Sequence, residues 1–242
     1  MIMKTKLPAL LCLLTALSEF HAPAAQNVEF TGNTAAPEAP LCLWYRRSAA
    51  QWEEALPLGN GHIGAMVFGT PGKERMQLNE ESLWAGCPVE AWPPDFPKHL
   101  AEVRRLLFAG KNAEAQAYGV ANMTATPTSF RSYEPLADLW LDFGPVESVT
   151  GYRRELILAD GNARVTFHQG DATLTREAFI SAPDNVLAVR VKTDRAGTLA
   201  FTVSLARQRN ATVTATADGQ LHLDGQIVDV ESPENLAAAL GE

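Results

Sequence analysis

The stretch DGNARVTFHQG, Asp160–Gly170, decides how the rest of the chain is read. Val165 and Phe167 alternate with Arg164, Thr166 and His168, so an extended backbone here has one apolar and one polar side. Asp160-Gly161 and Gln169-Gly170 bracket the run with tight-turn pairs. Together these predict a half-buried strand joined to its neighbours by hairpins. The period of two returns where Leu199, Phe201, Val203 and Leu205 alternate with Thr202 and Ser204, and turn pairs recur at Asp218-Gly219 and Asp224-Gly225. Many strands of similar length between tight turns favour an antiparallel sandwich over a parallel α/β sheet.

Earlier in the chain, LCLWY (Leu41–Tyr45), HIGAMVF (His62–Phe68) and RMQLN (Arg75–Asn79) are short apolar runs separated by Gly and Pro, and they predict further strands. Between these halves the period changes. In DFPKHLAEVRRLLFAG, Asp95 can cap a helix, Pro97 suits its first turn, and Leu100, Val103, Leu106 and Leu107 form a stripe before Gly110. A second helix is expected from Asn112 to about Ala121. The expected fold is therefore mainly β, an antiparallel sandwich with a two-helix insertion around residues 95–121. No internal repeat suggests a solenoid or propeller.

At the start, Lys4 and Lys6 precede the apolar run Leu7–Leu17, and Ala22-Pro23-Ala24-Ala25 follows, the pattern of an export signal over residues 1–25. The run is too short to span a bilayer comfortably, so after cleavage a soluble periplasmic or extracellular protein without membrane contact is expected. Residues 26–40 are rich in Ala, Pro, Thr and Asn and predict a flexible lead-in, with the folded body over 41–242. Removal of the signal takes Cys12 with it. Cys42 and Cys87 could then pair or stay free, and with no CxxC the reading leans toward two buried, unpaired thiols.

The 242 residues are 46% hydrophobic and 20% charged, enough apolar material for a sizeable core. A net charge of −8 without a basic run argues against nucleic acid or an anionic membrane as partner. His99, His168 and His222 lack metal-ligand spacing, and neither a metal nor an organic cofactor is expected. Arg46-Arg47 and Arg153-Arg154 read as solvated or ion-paired faces, and Trp44, Trp52, Trp92 and Trp140 as packing residues.

Two motifs concentrate polar chemistry. LPLGNGHIGAMVFG, Leu56–Gly69, lacks the Lys and Ser or Thr of a Walker loop and the flanking elements of a dinucleotide fingerprint. Gly59-Asn60-Gly61 instead suits a tight turn leading into a strand, with His62 at its edge. QLNEESLWAGCP, Gln77–Pro88, holds two neighbouring carboxylates. Whether the strand runs on or turns after Asn79, Glu80 and Glu81 diverge, a poor arrangement for acid and base on one bond. No GxSxG or paired cysteine nucleophile is recognisable, and no catalytic residue is assigned.

The segments LWYRRSAAQWEEALPLGNGHIGAMVFG, RMQLNEESLWAGCP, LAEVRRLLFAGKNAEAQ, SYEPLADLWLDFG, YRRELILADGNARVTF and TREAFISAPDNVLAVRV together resemble the amino-terminal domain of family 95 glycoside hydrolases. The resemblance runs in consistent order from about Leu43 to about Leu205. It implies a β super-sandwich beside an (α/α)6 barrel, in enzymes that are inverting α-L-fucosidases with some α-L-galactosidases. Inversion needs an acid and a base roughly 6.5–9.5 Å apart across the sugar, and the resemblance implies that the barrel carries the general acid and the polar network that activates water. The expectation is thus a non-catalytic domain of an exported fucosidase-like enzyme. It would stop before the barrel and remain incomplete at Pro233–Glu242, with a fucosylated glycan and the barrel as partners. The alternative is a free-standing carbohydrate-binding sandwich.

On the first reading Gln77, Asn79, Glu80 or Trp84 would border the sugar pocket, with the indole stacking on a sugar face and the polar groups orienting hydroxyls. Asn60 and His62 would meet the sugar or a barrel loop. The structural alternative has Asn79 capping a turn through the N–H of Glu81 or Ser82, Leu78, Leu83 and Trp84 packing inward, and His62 satisfied by nearby backbone.

Overall fold

A computed structural model describes residues 28–85, 92, 95–125 and 132–228. They divide into two compact units, one from the chain up to Leu83 with Glu134–Ile227, the other from Trp84–Tyr133 with Val228. In chain order the first unit carries β1 (Glu29–Thr31), β2 (Cys42–Tyr45), β3 (Leu56–Gly59), β4 (Ile63–Val67) and β5 (Lys73–Glu80). After the other unit it continues with β6 (Ala137–Asp142), β7 (Ser148–Ile157), β8 (Asn162–Gln169), β9 (Ala172–Ser181) and β10 (Val186–Thr193). It ends with β11 (Thr202–Ala206), β12 (Ala211–Ala215) and β13 (Leu221–Gly225).

The mainly β, antiparallel architecture agrees with the alternation read from Asp160–Gly170. One sheet has the order β1-β7-β8-β9-β10 with β2 also on β7, the second β11-β6-β5-β4-β3, and β12-β13 form a separate pair. Pro57 lies in β3, the edge of the second sheet, where a missing N–H breaks no interior ladder. The alternation sends Leu156, Ala163 and Ala178 of the first sheet against Leu56, Leu58, Ala65, Val67, Met76 and Leu141 of the second, in one buried cluster. The opposite face of the first sheet carries a row of charges in register, Glu155, Arg164, Glu177 and Arg190, on four successive strands. Arg164 bonds to both Glu155 and Glu177, and Arg190 bonds to Glu177.

Three expectations are corrected. Glu29–Thr31, inside the supposed lead-in, pairs in parallel with Ser148–Thr150 and sends Phe30 against Tyr152, with ring centroids 4.9 Å apart. Three residues are too short for any period to register. Asp224-Gly225 is no turn, since both residues pair with β12 opposite Thr212 and Ala211. Arg154 is not solvated. The irregularity between Thr150 and Arg153 shifts the register of β7 and puts Arg154 on the inward face, only 1% exposed.

In the second unit, α1 (Phe96–Phe108) and α2 (Asn112–Asn122) realise the expected insertion. Asp95 occupies the position before α1 but makes no side-chain cap. Its carboxylate instead meets His99 Nε2 at 3.2 Å, and that hydrogen bond holds it below the usual aspartate value. The other ring nitrogen of His99 lies 2.9 Å from the Tyr118 hydroxyl, so this residue bridges the two helices. Of the stripe, Leu106 is buried while Leu100 and Leu107 remain exposed.

Candidate functional site

The turn between β3 and β4 is built by Asn60. Its Oδ1 accepts the N–H groups of His62 and Ile63, each at 2.9 Å. Its Nδ2 donates to Ser181 O at 3.2 Å and to Asn185 Oδ1 at 2.8 Å. An asparagine amide has two acceptor sites and two donors, and all four are filled by protein. The side chain therefore fastens the β3–β4 turn to the β9–β10 turn. Gly61 follows with φ +97°, a conformation that only glycine adopts without strain.

His62 stands at the tip of this turn. Its Nδ1 is 2.6 Å from Glu81 Oε1, while the Glu81 N–H donates to His62 O at 2.9 Å. Both side chains are more than half exposed, at 63% and 54%. The sequence reading missed Glu81 as the partner; the signal lies in the strand register, which pairs Ile63 with Glu80 and so sets His62 beside Glu81.

Glu80 and Glu81 part ways as their adjacency predicts. The Glu80 carboxylate turns back to accept the N–H of Ser82 at 3.0 Å and its hydroxyl at 2.6 Å. Glu80, rather than Asn79, thus stabilises the turn after β5. Asn79 remains in β5, opposite Gly64 and exposed.

Gln77 and Asn79 share the outward face of the second sheet, because Met76 and Leu78 point to the core. Next to them Arg75 donates to both carboxylate oxygens of Asp138, each at 3.0 Å. Its guanidinium lies 5.0 Å from the Phe68 ring centroid and 5.7 Å from that of Trp140, and Lys73 Nζ lies 5.1 Å from Trp140. The sequence reading took Trp140 as a packing residue and missed this row of stacked cations and rings; the β5–β6 register, which sets Lys73, Arg75 and Gln77 opposite Asp142, Trp140 and Asp138, is what reveals it.

Trp84 belongs to the second unit. It forms an isolated bridge with Tyr133, the rings 4.9 Å apart and tilted by 52°, and it is 52% exposed rather than packed inward. Cys42 is a free, half-buried thiol whose pKa is raised by burial and by the Glu155 carboxylate. Cys87 lies outside the described residues.

The strongest electrostatic perturbations sit inside the sandwich. Glu74, fully buried, faces Arg176 at 3.0 Å and accepts the Gly69 N–H at 2.8 Å. Burial holds its carboxyl above the usual glutamate value despite the opposing pull of Arg176. Tyr152 donates to Gly69 O at 2.7 Å, and burial pushes its hydroxyl far up. Arg176 binds Thr70 O at 2.8 Å, and Arg154 binds Glu54 O at 2.6 Å. No substrate can reach groups sealed to 2% exposure or less. They anchor loops rather than handle protons for a reaction. Among the described residues, no group of three or more His, Cys, Asp or Glu could hold a metal ion.

Residues 43–239 match the family described as Glycosyl hydrolase family 65, N-terminal domain. The chain belongs to this family. Within curated proteins, this glycosyl hydrolase N-terminal domain is 34% identical over 168 residues to Alpha-L-fucosidase 2 of Arabidopsis thaliana, covering 68% of the chain and 20% of that protein. It is 35% identical over 147 residues to Probable alpha-fucosidase A of Aspergillus niger, covering 58% and 18%. The corresponding protein of Aspergillus oryzae is 31% identical over 155 residues, covering 60% and 20%. The chain thus spans about a fifth of the length of the relatives it matches.

Proposed function

We propose that this chain acts as the non-catalytic amino-terminal sandwich of an exported, inverting α-L-fucosidase-like enzyme of glycoside hydrolase family 95. It braces an (α/α)6 barrel and lends the turn bearing His62 to the sugar pocket. Membership of a glycosyl hydrolase N-terminal family and the fucosidase names of its relatives support this reading. The Lys4 to Ala25 pattern supports export to the periplasm or beyond.

The observation that carries the proposal is the divergence of Glu80 and Glu81. One closes its own turn on Ser82 and the other pairs with His62, so neither faces the other across a space that a sugar could fill. A domain so arranged positions and supports; the acid and base come from the barrel. Asn60 contributes only by holding the turn. A fucosylated glycan is the substrate of the assembled enzyme.

A second reading, a free-standing carbohydrate-binding sandwich, draws on Gln77 and Asn79 beside the Arg75–Trp140 stack. One experiment separates the two. The purified chain is incubated with a 2′-fucosylated glycan, alone and with a separately produced barrel from a fucosidase relative, and fucose release and anomeric configuration are followed by NMR. The proposal expects no release by the chain alone and a gain with the barrel. Inverting hydrolysis by the chain alone would overturn it, whereas glycan binding with no effect on the barrel would favour the second reading.

A further inference from the structure

A cleft of about 310 Å³ opens at one end of the sandwich, and neither the His62 turn nor Gln77 and Asn79 line it. Its apolar lining comes from Phe143, Leu174 and Leu199, and its polar lining from Gln169, Asp171 and Arg195. These come from the end of β6, the β8–β9 hairpin and the connection from β10 to β11. We propose that this cleft is a binding subsite for a single neutral pyranose ring of a glycan, distinct from any catalytic pocket.

Three observations converge. First, the walls are preorganised. Phe143 is held by Phe201, with centroids 5.0 Å apart, and by the Arg176 guanidinium, 5.0 Å from its centroid. The connecting loop is cross-braced: Asp194 Oδ1 accepts the Thr173 N–H at 2.8 Å, Thr198 Oγ1 donates to Arg195 O at 2.8 Å, and Thr193 and Thr198 hydroxyls meet at 3.1 Å. Binding therefore costs little further ordering of the loop or of Phe143, and what remains to be ordered is the exposed Arg195–Asp171 pair.

Second, the chemistry is that of a sugar site. An aromatic ring beside aliphatic side chains suits the C–H face of a pyranose, and the polar lining offers donors and acceptors side by side. Gln169 supplies both kinds through its amide. Arg195 Nη2 and Asp171 Oδ2 lie 3.1 Å apart, so a guanidinium and a carboxylate stand ready for neighbouring hydroxyls. Third, the charges cancel. Arg195 is neutralised by Asp171, and Arg176 behind Phe143 by Glu74. An uncompensated cation, which a phosphate or sulfate would require, is missing from this lining. The volume lies at the low end of small-molecule sites, about 300–1,000 Å³, which fits one ring better than an oligosaccharide.

The choice of a glycan as ligand rests on the proposed function; the position and neutrality of the site do not. The test is an amide NMR titration of the full chain with methyl α-L-fucopyranoside, methyl β-D-galactopyranoside and inorganic phosphate. Saturable shifts with either sugar, confined to residues 143, 169–174 and 195–201, are expected, with none from phosphate. Arg195→Ala and Asp171→Asn should each weaken sugar binding by about three- to tenfold, the loss of one or two hydrogen bonds. Asp171→Asn should in addition admit phosphate. Both residues are well exposed, so the spectra of the variants should otherwise match the parent.

Phosphate binding to the parent would overturn the neutral ligand, and sugar shifts elsewhere or nowhere would overturn the cleft. Neither result touches the scaffold reading, which stands or falls on whether the barrel gains hydrolysis.

Discussion

Replacing Gly69 with Ala tests how tightly the buried charges hold the connection between β4 and β5. Gly69 has φ +78°, and a Cβ there would lie 2.5 Å from the Tyr152 hydroxyl and 2.6 Å from Arg154 Cδ. Both neighbours are themselves buried. The left-handed backbone costs an alanine about 1–2 kcal/mol, and forcing a methyl into a packed core adds about 1–3 kcal/mol. If the loop moves to escape, the Gly69 N–H leaves the Glu74 carboxylate, a buried charged hydrogen bond of about 1.5–3 kcal/mol. By either route the expected loss is about 2–5 kcal/mol, a large share of the roughly 5–15 kcal/mol that stabilises a domain. Gly61→Ala supplies the control, since Gly61 has φ +97° but nothing within 4 Å of its would-be Cβ. It should lose only the backbone contribution, about 1–2 kcal/mol. The unfolded-state effect of Gly→Ala is common to both and cancels in the comparison. Urea unfolding followed by circular dichroism gives both values. Equal losses for the two variants would refute the claim that the Gly69 contacts are tight.

Two further outcomes follow from the electrostatics. Arg176→Met should cost about 3–5 kcal/mol by leaving Glu74 buried without its cation, and Glu74→Gln in the same chain should recover part of that loss in a double-mutant cycle. Because burial raises Glu74 above its ordinary 4.5, its contribution to stability is full below that pH and lost as pH rises through the folded value. Glu74→Gln should therefore flatten the fall in urea midpoint on the alkaline side of 4.5, and an unchanged profile would contradict the assignment. His62→Ala and Glu81→Gln should each shift stability by less than about 1 kcal/mol, since the pair is more than half exposed. A larger change in the urea midpoint would mean that the contact holds the turn together.

Much of the fold was legible because one physical signal, alternation on a half-buried pleat, runs through β5, β8 and β9. The two helices were legible for the corresponding reason, a change of period between Asp95 and Ala121. What escaped were features set by pairing rather than by local pattern. β1 has only three residues, and nothing in EFT says that it will lie along β7. Asp224-Gly225 has turn chemistry, but its neighbours on β12 hold it in a ladder. At the candidate site, the stretch around Asn60 and the divergence of Glu80 and Glu81 could be read locally. The partnership of His62 with Glu81 spans 19 residues and needed the β4–β5 register.

The buried charges were missed, although Arg176 and Glu74 left a local signal in the strand period. Arg176 shares its period with Leu174, Ala178 and Ile180, and Glu74 shares its period with Met76 and Leu78. A charged residue in an apolar register must either distort the strand or find a buried partner. Here the partners are one another and the backbone of loops that no ladder can satisfy: Arg176 takes the carbonyl of Thr70, Glu74 the N–H of Gly69, and Arg154 the carbonyl of Glu54. Arg176 also stacks on Phe143, so the loop anchor and the floor of the end cleft share one residue. Changes at Arg176 should thus loosen both the 69–72 connection and the cleft, whereas changes at Arg195 or Asp171 alter the cleft while leaving that connection in place. Ligand binding and domain stability can therefore be varied separately at the rim and only together at the core.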